Sequence, residues 1–148
     1  MYVRGEKMKV KIGKEFVWQM SHRLPFHKGL CSNIHGHTYK LRVSIVGEPD
    51  ENGFLIDFYE LMSAVQPIID QLDHSFVVDS NDTEVIEFLR KNNFRYVIIP
   101  STTTSENLAF WIANQIVEKF QKYPNLEKLI VRFYETFDSF AEVELPLR

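Results

Sequence analysis

The sequence predicts an α+β fold in which helices pack on one face of a four-stranded antiparallel sheet. Two observations predict it. Apolar and polar residues alternate towards both ends of the chain, which is the period of half-buried strands. Between those ends, apolar residues recur three and four positions apart, which is the period of amphipathic helices. No repeat or linker-like segment interrupts the 148 residues, so we expect one domain over residues 1–148.

The first two strands are predicted at residues 9–20 and 38–47. In the first, Phe16, Trp18 and Met20 alternate with mostly polar neighbours, and the second shows the same alternation. Residues 48–53 combine Pro, Asp, Asn and Gly, which is typical of a turn. The two strands are therefore expected to form an antiparallel pair if the segment between them folds back.

After this turn, the spacing of the apolar residues changes from the period of a strand to that of a helix. Asp57 and Glu60 have the spacing of a capping box, and a helical apolar face follows them. Pro67 lies inside that helix and lacks a backbone N–H, so it predicts a kink or a break. A short helix is predicted at Thr83–Lys91, and an extended segment at residues 94–99.

The last third of the chain predicts a long helix and two strands. Thr103 and Glu106 form a second capping-box pattern, and Pro124 is expected to end the helix that follows. Residues 128–136 and 140–145 alternate again and are separated by a short turn, which predicts an antiparallel pair. The predicted order is strand, strand, helices, strand, strand.

Charge and cysteine content exclude several classes of function. The chain has 17 Lys and Arg against 20 Asp and Glu, a formal charge of −3, so it lacks the basic excess that nucleic-acid binding uses. No apolar run is long enough to cross a bilayer, and residues 1–11 lack the apolar core of a secretory signal. We therefore expect a cytoplasmic protein. Cys31 is the single cysteine, which excludes an intrachain disulfide and a four-cysteine zinc site.

Three of the five histidines form a candidate metal site. His35 and His37 continue the apolar side of the second strand, and His22 continues the apolar side of the first. If the strands pair as predicted, the three imidazoles converge on one face. Three nitrogen ligands with an open fourth position are typical of catalytic zinc. A histidine taken singly is more often a buried residue with a satisfied N–H.

Cys31 lies four residues before His35, and its spacing leaves three interpretations open. It could be the fourth zinc ligand of a closed structural site. It could be a buried, inert thiol. Beside a metal ion, it could instead be a thiolate that acts as a base or a nucleophile.

Two carboxylates complete the candidate site. Glu135 continues the apolar face of the strand at residues 128–136, which favours a buried carboxylate with a partner, unless the strand ends at Tyr134 and Glu135 is solvated. Asp73 and His74 follow the first helix. A histidine beside a carboxylate can move protons near neutral pH, but a histidine is also common at a helix C-terminus.

These residues belong to a series of motifs in a characteristic order, over residues 16–144, nearly the whole chain. The motifs are His22-Arg23-Leu24-Pro25, Cys31 to His37 (Cys-Ser-Asn-Ile-His-Gly-His), Gly53-x-x-x-Asp57-Phe58, Leu72-Asp73-His74, Thr104-Ser105-Glu106-Asn107 and Tyr134-Glu135-Thr136. The chain resembles the 6-pyruvoyltetrahydropterin synthase family, and within it the 6-carboxytetrahydropterin synthase branch of queuosine biosynthesis. The three-residue spacer between Cys31 and His35 resembles that branch. Met20 and Thr103 depart from the family, which more often has alanine and proline there.

The resemblance implies the tunnelling fold, with the order ββααββ, and a homohexamer (a dimer of trimers) with sites at subunit interfaces. It also implies residue roles. The zinc ligands would be His22, His35 and His37. The catalytic residues would be Cys31 as base, Asp73 and His74 as its proton relay, supplied by a neighbouring subunit, and Glu135 as pterin anchor. The pterin pocket would be lined by Thr104, Ser105 and Glu106.

The resemblance further implies a small-molecule substrate, 7,8-dihydroneopterin triphosphate, and Zn²⁺ as cofactor. The products would be 6-carboxytetrahydropterin, acetaldehyde and triphosphate. A pyruvoyl-type synthase and a non-catalytic pterin- or zinc-binding relative are the alternatives. Arg23 and Lys28 are candidates for binding the triphosphate.

Overall fold

The fold is built on a long antiparallel hairpin to which further strands are added on both sides. The computed structural model describes the backbone of Tyr2 and Val3 and all of residues 5–148; Met1 and Arg4 lie outside it. In that part of the chain, a six-stranded sheet has the order β6-β5-β3-β4-β7-β8, and β1 pairs with β2 separately. The strands are β1 (Tyr2–Val3), β2 (Glu6–Lys7), β3 (Val10–His22), β4 (His35–Gly47), β5 (Ser75–Asp79), β6 (Tyr96–Ile99), β7 (Leu126–Thr136) and β8 (Ser139–Pro146). The helices are α1 (Phe58–Leu72), α2 (Thr83–Lys91), α3 (Ser105–Ile116) and α4 (Glu118–Gln121).

The β3–β4 hairpin keeps one register along its whole length. Trp18 lies opposite Tyr39, and the last pair of the ladder is His22 opposite His35. Because side chains alternate between the two faces of a strand, the buried set Phe16, Trp18 and Met20 defines the core face. The ladder contains no bulge, so the predicted parity of the histidines is confirmed.

Helix α1 begins where the sequence predicted. The Asp57 carboxylate accepts a hydrogen bond from the Tyr59 N–H at 2.7 Å and caps the helix. Glu60 does not complete a capping box; it accepts from the Tyr123 hydroxyl at 2.6 Å instead. The sequence predicted a kink or a break at Pro67; the helix continues through Pro67, so a break does not occur. Core residues on both sides of the proline, such as Val65 and Ile68, hold the helix in place.

The second capping prediction was wrong by one residue. Thr104, not Thr103, is the N-cap of α3, and its hydroxyl accepts from the Asn107 N–H at 3.2 Å. Threonine is a favoured N-cap residue at either position, but the hydroxyl of Thr103 is engaged with His22 and with the Arg23 carbonyl. The helical segment before Pro124 is divided into α3 and α4 at Val117.

The sheet is larger than predicted because β5 and β6 extend it as parallel strands. The antiparallel four-stranded part, β3, β4, β7 and β8, agrees with the prediction. Val77 and Val97 join the main core with α1 and α3, whereas Phe76 and Val78 pack with Val85 of α2 in a separate cluster. Alternate residues of a strand face opposite sides, so α2 covers the opposite face. The prediction of helices on one face is therefore correct for α1 and α3 but not for α2.

The β5–β6 unit joins the rest of the sheet through few pairs. β5 pairs with β3 at Met20–Ser75 and Ser21–Phe76. At the other side of the sheet, β7 and β8 form the predicted antiparallel hairpin. Among the described residues, no helix is both long and apolar enough to span a membrane.

Candidate metal centre and active site

The three predicted histidines meet at the open end of the β3–β4 hairpin. Their ligand nitrogens all lie within 4.8 Å of one another. The Nε2 atoms of His22 and His35 are 3.1 Å apart, and the rings of His22 and His37 have centroids 5.4 Å apart. Among the residues that the structure describes, this is the group of acidic, histidine and cysteine side chains that could hold a metal ion.

The hydrogen bonds at the Nδ1 atoms leave the Nε2 atoms available as ligands. His22 Nδ1 lies 3.0 Å from the Thr103 carbonyl oxygen, and His35 Nδ1 lies 2.7 Å from the Asn33 carbonyl oxygen. A carbonyl only accepts, so each Nδ1 carries the proton and donates it. The buried Nε2 of His37 has no hydrogen-bond partner within the described residues. An orphaned buried nitrogen beside two Nε2 lone pairs fits a bound cation.

Burial lowers the pKa of two of the imidazoles, those of His22 and His37, and so favours the neutral form that ligates a metal. Desolvation lowers the pKa of His22 to about 4, although its backbone hydrogen bond to Thr103 acts in the opposite direction. Desolvation also lowers the pKa of His37, against the nearby Glu135 carboxylate, which raises it. The site therefore presents at least two neutral donors at pH 7.

Glu135 faces the histidines, as its parity predicted. Its Oε1 lies 3.3 Å from His22 Nε2 and 3.8 Å from His37 Nε2. The β7–β8 pairing shifts register between Tyr134 and Thr136, so Glu135 occupies an irregular position near the end of β7. The carboxylate is partly exposed, and the alternative of a solvated residue beyond the strand does not apply.

Cys31 lies in the loop that connects the two histidine-bearing strands. It occupies a single 3₁₀ turn, Leu30–Ser32, and its carbonyl accepts from the Leu24 N–H at 2.8 Å. The thiol is partly exposed. Because the metal-holding group consists of His22, His35 and His37, Cys31 is not a member of it in the described part of the chain.

Asp73 and His74 form a hydrogen-bonded pair at the end of α1. His74 Nδ1 donates to Asp73 Oδ1 at 2.9 Å, and the same oxygen accepts from the Gln19 N–H at 3.1 Å. These contacts, the backbone one first, lower the pKa of Asp73. His74 has a positive φ of 59°, and its own N–H donates to the Gln19 carbonyl at 2.7 Å. The imidazole remains exposed.

The predicted pocket residues Thr104, Ser105 and Glu106 lie at the start of α3, directly after Thr103 in the sequence. Their contacts differ from those of Thr103. Thr104 uses its hydroxyl as the helix cap, and Ser105 and Glu106 form the first turn. Thr103, which the sequence assigned to capping, instead contacts His22 through both its carbonyl and its hydroxyl. Its only sequence signal is that it departs from the family pattern.

Sequence reasoning also missed an ion pair beside the site. Arg23 donates to both carboxylate oxygens of Asp82, each at 2.7 Å. The guanidinium lowers the pKa of Asp82. Because Arg23 is engaged in this bidentate pair, it is not a free cation for a triphosphate. No local pattern connects two residues that are 59 positions apart in sequence.

An open cavity of about 590 Å³ lies on the sheet face that α2 borders. His37 and His74 both contribute to its wall, together with the aromatic residues Phe88 and Phe94 and the polar residue Arg95. A smaller opening nearby is lined by His37 together with Val17, Lys40, Glu135 and Phe137, among others. His37 is thus the member of the histidine group that lines both openings.

The fold and the site together define an α+β protein with a group of three histidines, at the end of a sheet, that could hold a metal ion. The model of the family described as 6-pyruvoyl tetrahydropterin synthase matches residues 11–146. The chain belongs to this family, and as a member of it the chain is a lyase that acts on pterins.

Relatives support the same assignment. The chain is 37% identical over 142 residues to the 6-carboxy-5,6,7,8-tetrahydropterin synthase of Haemophilus influenzae, covering 90% of this chain and 98% of that protein. It is 35% identical to a putative enzyme of the same name from Pyrococcus horikoshii, covering 95% and 92%. The 6-pyruvoyltetrahydropterin synthase of Plasmodium vivax superposes with a TM-score of 0.76 at 21% identity, over 94% of this chain and 99% of that one. This last likeness establishes the tunnelling fold.

Proposed function

We propose that the chain is a zinc-dependent 6-carboxy-5,6,7,8-tetrahydropterin synthase. It would convert 7,8-dihydroneopterin triphosphate into 6-carboxytetrahydropterin, acetaldehyde and triphosphate, in queuosine biosynthesis. The observation that carries the proposal is the convergence of three imidazoles, at least two of them neutral, with the Glu135 carboxylate at their edge. The identity to the Haemophilus influenzae enzyme over nearly the full length of both chains supports the choice of product.

The Nε2 atoms of His22, His35 and His37 would hold the metal ion. Three nitrogen ligands without a carboxylate or thiolate among them suit zinc and leave room for substrate oxygens. When bound, zinc supplies Lewis-acid polarisation of the substrate side chain. Asn33 and Thr103 accept from the Nδ1 atoms and fix the orientation of two of the rings.

Proton transfer is the task that we assign to Cys31, Asp73 and His74. Cys31 stands on the loop that leads directly into the histidine-bearing end of β4, where it would accept a proton from the substrate side chain. Asp73 accepts from His74 Nδ1, so His74 Nε2 is the atom that exchanges protons. The backbone of Gln19 holds both residues in place.

Pterin recognition is the task that we assign to Glu135 and the start of α3. A carboxylate accepts from the neighbouring N–H groups of a pterin ring in a bidentate manner, which fixes its orientation. Thr104, Ser105 and Glu106 would line the wall of the same pocket. Glu135 lies at the irregular position near the end of β7, from which its side chain would turn from the histidines to the ring.

We also infer that the enzyme assembles into a homo-oligomer, a hexamer built as a dimer of trimers, with sites at the interfaces. Within the described residues, β8 and the first ten residues of β3 each have an edge with no neighbouring strand. Val17, Phe137 and Phe140 are exposed beside those edges. Free edges of this kind are usually covered by a partner.

Product analysis tests the proposal. Zinc-loaded protein is incubated with 7,8-dihydroneopterin triphosphate, the pterins are identified by mass spectrometry, and acetaldehyde is trapped separately. We expect 6-carboxytetrahydropterin with one equivalent of acetaldehyde. A pyruvoyl product would assign the chain to the alternative synthase activity, and a zinc-loaded protein that forms no product would contradict catalysis.

Replacement of Cys31 tests its role. Cys31→Ala should retain about one zinc per chain and lose turnover by at least 10²-fold, the lower range for a general base. Ser32→Ala, a change at the neighbouring residue of the same turn, is the matched control and should remain active. Cobalt-substituted wild type separates the open from the closed site: a thiolate-to-cobalt charge-transfer band in the resting protein would favour Cys31 as a fourth ligand.

A further inference from the structure

Thr103 contacts the metal centre although it is neither a ligand nor a helix cap. It is 1% exposed and lies in the connection between β6 and α3. Its carbonyl oxygen lies 3.0 Å from His22 Nδ1, and its hydroxyl oxygen lies 3.2 Å from the same nitrogen. We propose that Thr103 is a positioning residue whose hydroxyl, together with its carbonyl, orients His22 towards the metal. The proposal rests on the metal site of the proposed function.

The hydrogen atoms of this contact can be assigned by counting donors. The Thr103 hydroxyl donates its one hydrogen to the Arg23 carbonyl at 3.2 Å. Towards His22 it can therefore act only as an acceptor. The His22 Nδ1–H is shared between two oxygens of one residue, as a three-centre hydrogen bond. The neutral ring then has its lone pair on Nε2, which faces His35 and Glu135.

The alternative is that the hydroxyl serves only the local fold. Thr104 performs the capping of α3, so the Thr103 hydroxyl is not needed for it. Both of its polar partners, the His22 ring and the Arg23 carbonyl, belong to the segment that carries the metal ligand. Through these two partners, the hydroxyl links the connection between β6 and α3 to the orientation of His22.

An ion pair holds Arg23, whose carbonyl is the second partner of the Thr103 hydroxyl. Arg23 is held by Asp82, which is 8% exposed, through two hydrogen bonds of 2.7 Å. Bidentate pairs of this kind hold the guanidinium in one plane. The Arg23 backbone, to which Thr103 donates, is thereby restrained from the α2 side, and the hydroxyl of Thr103 is restrained in turn. His22 is thus oriented by a chain of contacts that ends at Asp82.

Two substitutions separate the hydroxyl from the rest of the side chain. Thr103→Val keeps the shape and the backbone carbonyl but removes the hydroxyl, whereas Thr103→Ser keeps the hydroxyl. Zinc affinity is measured by competition with a chromophoric chelator, without any pterin. We expect Thr103→Val to bind zinc about 10-fold more weakly, the lower range for loss of a contact to a ligating histidine, and Thr103→Ser to bind like wild type.

Thr102→Val is the matched control. Its hydroxyl accepts from the Asn107 side chain at 2.8 Å and, within the described part of the chain, forms no hydrogen bond with the histidines, so its loss should leave zinc affinity unchanged. Unfolding by urea is measured for all variants, to separate lost affinity from lost stability. Equal zinc affinity in Thr103→Val and wild type would overturn the proposal, as would a Thr103→Ser variant as weak as Thr103→Val.

A measurement on the unaltered protein keeps the test independent of folding defects. In metal-free wild type, ¹⁵N chemical shifts of the His22 ring report which nitrogen is protonated. We expect the Nδ1–H form, and a predominant Nε2–H form would contradict the proposal. Neither readout requires turnover, so a chain that binds zinc as expected and forms no pterin product would contradict the proposed function and leave the role of Thr103 intact.

Discussion

At the residue scale, His22 is a neutral imidazole in a fully buried position. The apolar residues Trp18, Met20 and Tyr39 precede or face it on the same side of the hairpin. A charged imidazole is poorly solvated there, which is why its pKa falls from 6.5 to about 4. The same desolvation that prevents protonation prepares the ring for a metal ion, because only the neutral form has a free lone pair.

This shift predicts a pH dependence of stability in the metal-free protein. Between pH 6.5 and pH 4 the unfolded chain binds a proton at His22 that the folded chain does not, so the free energy of unfolding falls as the pH falls. The loss over this window is about 3 kcal/mol for a shift of this size. His37, whose pKa burial also lowers, acts in the same direction.

Urea unfolding of the metal-free protein at a series of pH values checks this prediction. His22→Gln should flatten the dependence between pH 6.5 and pH 4, and His27→Gln, at an exposed loop position, should not. An unfolding free energy that is constant over the window in wild type would show that His22 titrates normally.

The parity of the three histidines could be predicted from sequence because strand side chains alternate with a period of two. One register, unbroken from Val10 to His22, was enough to bring them together. The partners of their Nδ1 atoms could not be predicted in the same way. Thr103 is 81 positions from His22, and a contact over that distance depends on tertiary structure and not on any local period.

At the scale of elements, the end of α1 depends on Arg95, which directly precedes β6. The Arg95 side chain donates to the carbonyl oxygens of Asp70, Gln71 and Asp73, and to the Ser75 hydroxyl at 2.9 Å. A cation at a helix C-terminus satisfies carbonyls that have no partner in the helix. These contacts hold the turn in which Asp73 and His74 are presented.

We predict that Arg95→Met lowers the free energy of unfolding by about 1–2 kcal/mol, because charge-assisted hydrogen bonds to the helix end are lost. Arg95→Lys should recover part of this loss, since one ammonium group cannot reach all four acceptors. Urea unfolding measures both, with Arg90→Met on the exposed side of α2 as control. An unchanged midpoint in Arg95→Met would indicate that the helix end is held by α1 packing alone.

The elements that the sequence predicted poorly are those without a clear period. All five residues of β5 are buried, so its sequence shows no alternation, and the strand was not predicted. Helix α2 packs on the side of the sheet where Phe76 and Val78 are buried, whereas Val77 is buried in the main core. The sequence does not distinguish these three apolar residues. By contrast, β3, β4 and β7 have one clear apolar face each, and their predicted positions agree with the structure.

At the scale of the whole molecule, the free strand edges and the placement of the site determine how the enzyme should assemble. His37 lines two openings on the surface, and His74 lies on the wall of one of them. A partner seated over these openings would exclude water from the site. We therefore expect the active form to be larger than one chain.

Light scattering coupled to gel filtration checks this expectation. The mass in solution should be about six times that of the 17.5 kDa chain. The activity should decline on dilution to concentrations at which the assembly dissociates. A fully active species of 17.5 kDa would contradict sites shared between subunits.

Strand β5 is joined to β3 by two residue pairs, so the part of the molecule that contains β5 should open first. A β–α–β unit with its own small core and so few ladder bonds to its neighbour should exchange its amide hydrogens through sub-global opening, before the long hairpin does. That opening would withdraw Asp82 from Arg23 and Arg95 from the end of α1. Hydrogen exchange followed by mass spectrometry should show residues 76–99 labelling as one early unit. Activity would then be lost on heating while most of the sheet is still folded.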